Sequence, residues 1–580
     1  MRILLASLFA TALLASTACS DDPVGADDDA DDDTTSSGGS SGRASSSGGK
    51  SSSSGGKSSS SSGGRSSSGG SSSGTTTSSS SGGSGSSSGS SSGDTWPGPS
   101  GTAITAGVVP DVASVDSELL AHTVATGAAD GSFVVGFTSY PAFPDRGGVT
   151  LEKHAASGAL LWRKRLEYTP TSQYSSIAMD AAGNVYVAGN VSPVSGFILD
   201  GVTVPNIRKA TAPPSTYIGE CAVVKLAAAD GVKGWHGHAT LGAGVTLTGY
   251  NNVECRGLAV RDGHLVLTGV YPTKNIVWVQ GGASTSAEGS QSNSSSNVSE
   301  SFVVSVAADT GLGESVTVLQ HTGAGAGNLN SESVAIAANR QTMLYSAAQG
   351  DAVKAGPLTY TPTAPRDGVY NPIGFLSLAT SPIAGSLRAS EITSTMDPFT
   401  NLPQVVALAA GGGLFGLGAM TYSQTTFRPP SAGTAATLAA DRSYFVLTQV
   451  ATDAAAGAVR LLDFGAASAA APEHFLGTGP DGTIVMTGLN EGALAFGADC
   501  ATAGITTPGS YLVSFGTTPM TGCKFAIALP SGVRPARAAA GADGRIFVAG
   551  LYSGAVTFAP GLTLPAPATG EAPFFASFVP

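Results

Sequence analysis

Carboxylates recur beside glycines along this chain, and they are the first candidates for chemistry. Asp130, Asp180, Asp262, Asp481 and Asp543 each stand in a short polar stretch between two apolar runs. Calcium loops place oxygen ligands at alternate positions around a turn glycine, a density these stretches lack. The residue types favour a structural role, in which a turn aspartate accepts the backbone N–H two residues on. His236-Gly237-His238 puts two imidazoles on one face of a strand, a spacing that suits a metal ion. No third ligand stands near it in the sequence, and neither a metal nor another cofactor is expected. His122, His154, His264, His321 and His474 are scattered, and no GxSxG elbow occurs. No catalytic triad can therefore be assigned, and the expectation is binding rather than catalysis.

Five cysteines are present, and Cys19 stands apart from Cys221, Cys255, Cys500 and Cys523. An even number in an exported chain points to disulfides. Four cysteines allow three pairings, and proximity favours Cys221–Cys255 with Cys500–Cys523. None has the CxxC spacing of a zinc or redox site.

The N-terminus supplies an address. Met1-Arg2 is a charged n-region, Ile3 to Leu14 an apolar h-region, and Ala15-Ser16-Thr17-Ala18 a small-residue cleavage site before Cys19. The run is too short to span a bilayer and reads as a signal peptide. The Ala18-Cys19 junction resembles a bacterial lipobox, with Ser16 where that family usually has Leu. The resemblance implies lipid attachment at Cys19; an ordinary secretory signal cleaved near Ala18 is the alternative. Residues 19–33 form an acidic spacer, and residues 34–99 a Ser/Gly-rich linker too polar to bury a core. Such a coil of about 60 residues spans roughly 40–45 Å. These features place the protein in the bacterial cell envelope, lipid-anchored, at the outer membrane or cell surface.

Residues 100–580 repeat. Ser176-Ile-Ala-Met-Asp180-Ala-Ala-Gly183-Asn-Val-Tyr-Val-Ala-Gly189 reads as strand, turn, strand. Related or degenerate copies centre near residues 131, 263, 340, 412, 482 and 544, making seven. A second apolar series interleaves with them: Gly148 to Trp162, Ala222 to Trp235, then copies beginning at Phe302, Gly374, Tyr444, Tyr511 and Phe574. A strand within residues 102–113 is expected to complete the last unit, and Gly282–Glu300 reads as a surface loop. Trp162 and Trp235 end equivalent strands, where packing between neighbouring units is their expected use.

These units resemble the bacterial seven-bladed propeller repeats of the SBBP kind. Asp180, Gly183, Asn184, Tyr186, Val187 and Gly189 match the core of that motif. The resemblance implies an all-β fold: a single seven-bladed β-propeller over residues 100–580, preceded by signal peptide and disordered tether. A propeller alone does not define an activity. The formal net charge is -12, of which residues 1–93 carry -3, leaving an acidic remainder that excludes nucleic acid as a partner. The expected protein is a monomeric, envelope-anchored binding or scaffold module, held to the membrane by its lipid and presenting loops to a protein or glycan. The alternatives are a hydrolase, lyase or lactonase acting at a central channel, which would gather ionisable side chains from several units, and a structural surface protein.

Overall fold

Glycines in the left-handed region punctuate the repeats and turn each strand back on itself. In the computed structural model, Gly131, Gly183, Gly482 and Gly544 have φ between +73° and +82°. Each donates its N–H to the carbonyl three residues earlier, at Ala128, Asp180, Gly479 and Gly541. A side chain at these positions would strain the backbone, so the recurrent glycine is a steric requirement.

The structure describes residues 102–579 with breaks in many connections, the longest at 109–121, 208–218, 287–298, 362–375 and 380–390. The chain divides between Trp96 and Pro97, and every described residue belongs to the C-terminal unit. Among the described residues there is no helix, and all sheet pairings are antiparallel.

After β1 (Thr102–Val108), the strands β2 (His122–Thr126), β3 (Phe133–Ser139), β4 (Gly147–His154) and β5 (Leu160–Tyr168) pair in order as a first sheet. The second sheet starts with β6 (Tyr174–Met179) and β7 (Val185–Val191). A hairpin, β8 (Phe197–Leu199) and β9 (Val202–Val204), precedes its β10 (Glu220–Leu226) and β11 (Lys233–Leu241). The third has β12 (Glu254–Arg261), β13 (His264–Pro272), the hairpin β14 (Ile276–Gln280) and β15 (Ala283–Ser286), then β16 (Ser299–Ala307) and β17 (Gly313–Thr322).

The plan continues with β18 (Leu329–Ile336), β19 (Gln341–Ala348), the hairpin β20 (Ala352–Ala355) and β21 (Leu358–Tyr360), then β22 (Leu376–Ala379) and β23 (Glu391–Ser394). A fifth sheet has β24 (Phe399–Ala407), β25 (Gly413–Thr421), the hairpin β26 (Thr425–Arg428) and β27 (Ala436–Leu438), then β28 (Arg442–Val450) and β29 (Val459–Ala466). The sixth is β30 (His474–Thr478), β31 (Ile484–Asn490), β32 (Gly509–Gly516) and β33 (Phe525–Ala528). The seventh has β34 (Val533–Ala540) and β35 (Ile546–Ser553), then the hairpin β36 (Val556–Ala559) and β37 (Leu562–Leu564), and finally β38 (Glu571–Val579).

One rule recurs at four boundaries. The hairpin after a sheet's second strand pairs with the strand that precedes that sheet: β8 on β5, β14 on β11, β20 on β17 and β26 on β23, whereas β36 and β37 form a two-stranded sheet of their own. The rule covers an edge that would otherwise be left unpaired. The first strands also meet in sequence order, β2 with β6, β6 with β12, then β18, β24, β30 and β34, and β34 meets β2. The expected hairpins are β2–β3, β6–β7, β12–β13, β18–β19, β24–β25, β30–β31 and β34–β35, and the second series supplies the third strands. The turns near residues 340 and 412 lie outside the described residues.

The expected N-terminal strand is β1. It pairs with β38, Thr102 opposite Val579 and Val108 opposite Phe574, and completes the last sheet. The loop expected from Gly282 is shorter than the sequence suggests. Gly281 and Gly282, at φ +56° and +89°, form a tight turn that pairs β15 with β14. A two-glycine hairpin turn embedded in a Ser-rich stretch hides that strand from composition alone.

Apolar side chains fill the space between sheets. Val134, Leu151, Val185, Val187 and Val224 belong to one core shared by the first and second sheets. Cys221, Trp235, Leu265 and Phe302 belong to another shared by the second and third. The Cys221–Cys255 disulfide joins β10 to β12 across that second boundary. Replacing both cysteines by serine should lower the unfolding free energy by about 3–4 kcal/mol, the loop-entropy value for a 34-residue separation. Denaturant titration of the oxidised protein and the double variant checks this, and equal midpoints would refute it.

Candidate functional site

The first strands and their turns line a cavity of about 620 Å³. Its wall is mostly aliphatic, including Val124, Ile177, Leu258, Val334, Leu476 and Ala538, one from each of six sheets. Five ionisable residues also border it: Asp180, Arg261, Asp262, Asp309 and Arg537. Convergence of that kind is what an enzyme would need, so each partner set matters.

Asp180 is committed to its own turn. Its carboxylate accepts the Asn184 backbone N–H at 2.8 Å and side-chain amide at 2.9 Å, and Tyr186 Oη lies 2.9 Å away. Asn184 Oδ1 in turn accepts the Ala228 N–H at 3.2 Å. The Asp-x-x-Gly-Asn-x-Tyr motif is thus a hydrogen-bonded knot between two turns of the second sheet. Arg261 Nε stands 3.7 Å from Asp262, and Lys225 Nζ 3.4 Å from Asp309. The Arg537 guanidinium lies over the Phe475 ring, 4.3 Å from its centre. No histidine or glutamate is among the residues lining the cavity.

The turn aspartates behave as expected at three positions. Asp130, Asp481 and Asp543 accept the N–H of Ser132, Thr483 and Arg545, two residues on, at 2.9–3.1 Å. Asp180 departs from this, because it occupies the first position of its turn and reaches four residues on. Asp262 departs as well. It has φ +50° and Gly263 φ +76°, a two-residue hairpin between Arg261 and His264 in which the aspartate adopts the left-handed conformation itself.

The expected histidine pair does share one side of β11. The rings of His236 and His238 lie 5.5 Å apart, edge to face. Burial, with the nearby His238 and Lys233, depresses the His236 pKa to about 4. His238 is buried, and its Nδ1 lies 3.4 Å from the buried Glu220. Glu220 also accepts from Thr240 Oγ1 and from the Ile207 N–H, both at 2.9 Å, which ties the β8–β9 segment to β10. Sequence reasoning missed Glu220, since its proximity depends on the β10–β11 register. No group of three His, Cys, Asp or Glu side chains among the described residues is arranged to hold a metal ion.

The tryptophans join neighbouring sheets. Trp162 Nε1 donates to Ala228 O at 3.2 Å, and Trp235 Nε1 to Ala308 O at 2.9 Å, each reaching the turn of the following sheet. A Cβ on Gly311 would stand 2.5 Å from the Trp235 ring, so only glycine admits that contact. Trp278, outside the expected position, does the same work by donating to Gly311 O at 2.8 Å. Lys153, buried between the first and second sheets, donates to Gly183 O and Ala228 O, both at 2.9 Å. Burial lowers its pKa, against the nearby charges of Asp130 and Asp180.

Of the expected cysteine sites, Cys221 and Cys255 are bonded to one another. Cys523 is also in a disulfide. Cys19 and Cys500 lie outside the described residues. No protein-family model and no curated protein matches the chain in sequence.

His474 gives the structure a pH dependence. It stacks on Phe464 with ring centres 4.0 Å apart and shares a 2.8 Å hydrogen bond with Tyr511 Oη. Burial depresses its pKa to about 3. From about pH 6.5 downward the unfolded chain takes up protons that neutral His474 and His236 refuse, so unfolding free energy should fall with pH in that window. Chemical denaturation from pH 7 to pH 4 of the protein and of His474→Gln reads the slope, which should be shallower in the variant. An identical slope would show that His474 contributes nothing.

Proposed function

We propose that residues 100–580 form a seven-bladed β-propeller that acts as a binding or scaffold module, held at the cell envelope by lipid on Cys19. The observation that carries the reading is the cavity bordered by first strands, which meet in the order β2, β6, β12, β18, β24, β30, β34 and back to β2. Seven strand–turn–strand units, each followed by a third strand, support the blade count. A concave, mainly aliphatic site with a few placed polar groups suits ligand binding. Arg261 and Arg537 border it and would orient an anionic or hydroxyl-rich group of a protein or glycan ligand.

The enzyme reading, a hydrolase, lyase or lactonase at the channel, has one observation in its favour, the five ionisable residues around the cavity. Their engagement with turn backbone, with neighbouring charges and with the Phe475 ring favours binding over proton transfer.

Two measurements test the proposal. Intact-mass analysis of the mature protein should find Cys19 as the acylated N-terminal residue, with Cys19→Ser unacylated; an unmodified terminus downstream of Cys19 refutes the anchor. A glycan array and envelope-protein binding, each compared with Arg261→Ala/Arg537→Ala, should show a ligand whose affinity falls at least tenfold in the variant, as expected for lost charge-assisted hydrogen bonds. Turnover of a model ester or lactone that disappears in the same variant would instead establish the enzyme.

A further inference from the structure

The His-Gly-His run of β11 takes no part in the cavity. Its backbone is held along both edges. His236 lies opposite Val224 and His238 opposite Ala222 of β10, while His238 also lies opposite Val279 of β14. Gly237 between them turns to the other face of the sheet, where a Cβ would collide with the Trp278 ring. Ladder bonds on two sides and that contact fix the strand, so both imidazoles are preset on one side of it.

His238 differs from a histidine that is simply packed. It is buried, and among the described residues neither ring nitrogen has a hydrogen-bond partner. His154, by contrast, has its two nitrogens engaged by Gly158 O and Glu152, each at 3.0 Å. The Nδ1 of His238 is 3.4 Å from Glu220 Oε2, within ion-pair range but long for a hydrogen bond. Glu220 is itself fully buried, with Oε1 accepting from Thr240 Oγ1 and Oε2 from the Ile207 N–H. Those bonds hold it as an orienting group behind His238. With the Nδ1 proton directed at Glu220, Nε2 carries the lone pair of the ring. A buried lone pair without a donor is costly, and an ion that takes it up removes the cost.

His236 supplies a second imidazole and the route in. It is half-buried, and its ring centre lies 5.5 Å from that of His238, edge to face. With metal–nitrogen bonds of about 2.0–2.1 Å, two imidazoles at a tetrahedral angle have ring centres roughly 5 Å apart. The pair is therefore close to chelating geometry as it stands. Lys233 stands near His236, and Lys164 of β5 reaches Gly231, with Asp230 on the same turn. Solvent screens both partly exposed lysines, whereas the buried Glu220 carboxylate attracts a cation across a low dielectric.

We propose that His236 and His238 chelate a divalent transition-metal ion, with Glu220 as the positioning residue behind His238 and solvent completing the coordination. Imidazole nitrogen suits copper, nickel and zinc, whereas calcium and magnesium require oxygen ligands and both Glu220 oxygens are engaged. Two protein ligands make a weaker site than a structural zinc centre with four. Affinity should accordingly follow the intrinsic order of the ions, with Cu(II) tightest. The site is separate from the cavity and from the lipid anchor, and it stands or falls independently of both.

The test titrates untagged protein of residues 20–580, which keep every described residue, with Cu(II), Ni(II) and Zn(II) by calorimetry. Electron paramagnetic resonance of the Cu(II) form then reads the ligands. A single equivalent of Cu(II) should bind more tightly than Ni(II) or Zn(II), with nitrogen hyperfine coupling from two imidazoles. His236→Gln, at a half-buried position, should bind at least tenfold more weakly, with an unchanged melting temperature and coupling from one imidazole. Glu220→Gln should weaken Cu(II) about tenfold while both couplings remain. His264→Gln, which alters a histidine beside Glu314 on the third sheet, should bind as the parent does. Cu(II) held by oxygen ligands alone, as the acidic residues 19–33 would hold it, overturns the inference. So does an affinity in His236→Gln equal to the parent's, and equal affinity in Glu220→Gln overturns the positioning role.

Discussion

A four-stranded sheet buries neither of its faces alone, and the central constraint on this chain is that each sheet must cover the next. Apolar residues on both faces of the strands meet in shared cores, as Val187 and Val224 do with Val134 and Leu151. Polar bonds then fix the register between neighbours. Trp162, Trp235 and Lys153 all donate to carbonyls on turns of the following sheet. Each bond gives a carbonyl at the boundary a donor, and an unsatisfied acceptor in a low-dielectric interface is costly. The left-handed glycines are part of the same device, since Gly311 leaves room for the Trp235 ring.

The covering constraint also accounts for the inserted hairpins. At four boundaries a hairpin placed after a sheet's second strand pairs with the strand that precedes that sheet, so covalent connection and hydrogen bonding cross the boundary in opposite directions. The Cys221–Cys255 disulfide adds a covalent link at the second boundary. The proposed ring draws on the same logic, because a series of sheets that each require a neighbour is satisfied at both ends only when the last meets the first. The contact of β34 with β2 and the pairing of β1 with β38 are consistent with that requirement.

Function is left to the surfaces that this packing does not consume. Turn aspartates that look like ligands in a one-dimensional reading are occupied by backbone N–H groups. The buried His474 serves packing, held between aromatic rings and Tyr511. Among the described residues, the cavity bordered by Arg261 and Arg537 is the concave surface on which the proposed binding rests.

The sequence by itself determined the strand–turn–strand hairpins at Gly131, Gly183, Gly263, Gly482 and Gly544. Period-two apolar patterns and glycine-bearing turns are local, and each is set by sterics within a few residues of the chain. It also singled out Cys221 and Cys255 as a pair, because proximity along the chain narrows the choice. Tertiary structure decided what local chemistry cannot. Glu220 approaches His238 only through the β10–β11 register, and Trp278 finds Gly311 only because β14 extends β11 beside the third sheet. The β15 strand was hidden for the same reason: a Ser-rich segment pairs when an edge is offered to it, and composition does not report the edge. The reach of Trp162 to Ala228 and of Trp235 to Ala308 was likewise invisible, since residues about 70 positions apart become neighbours only when successive sheets stack in register.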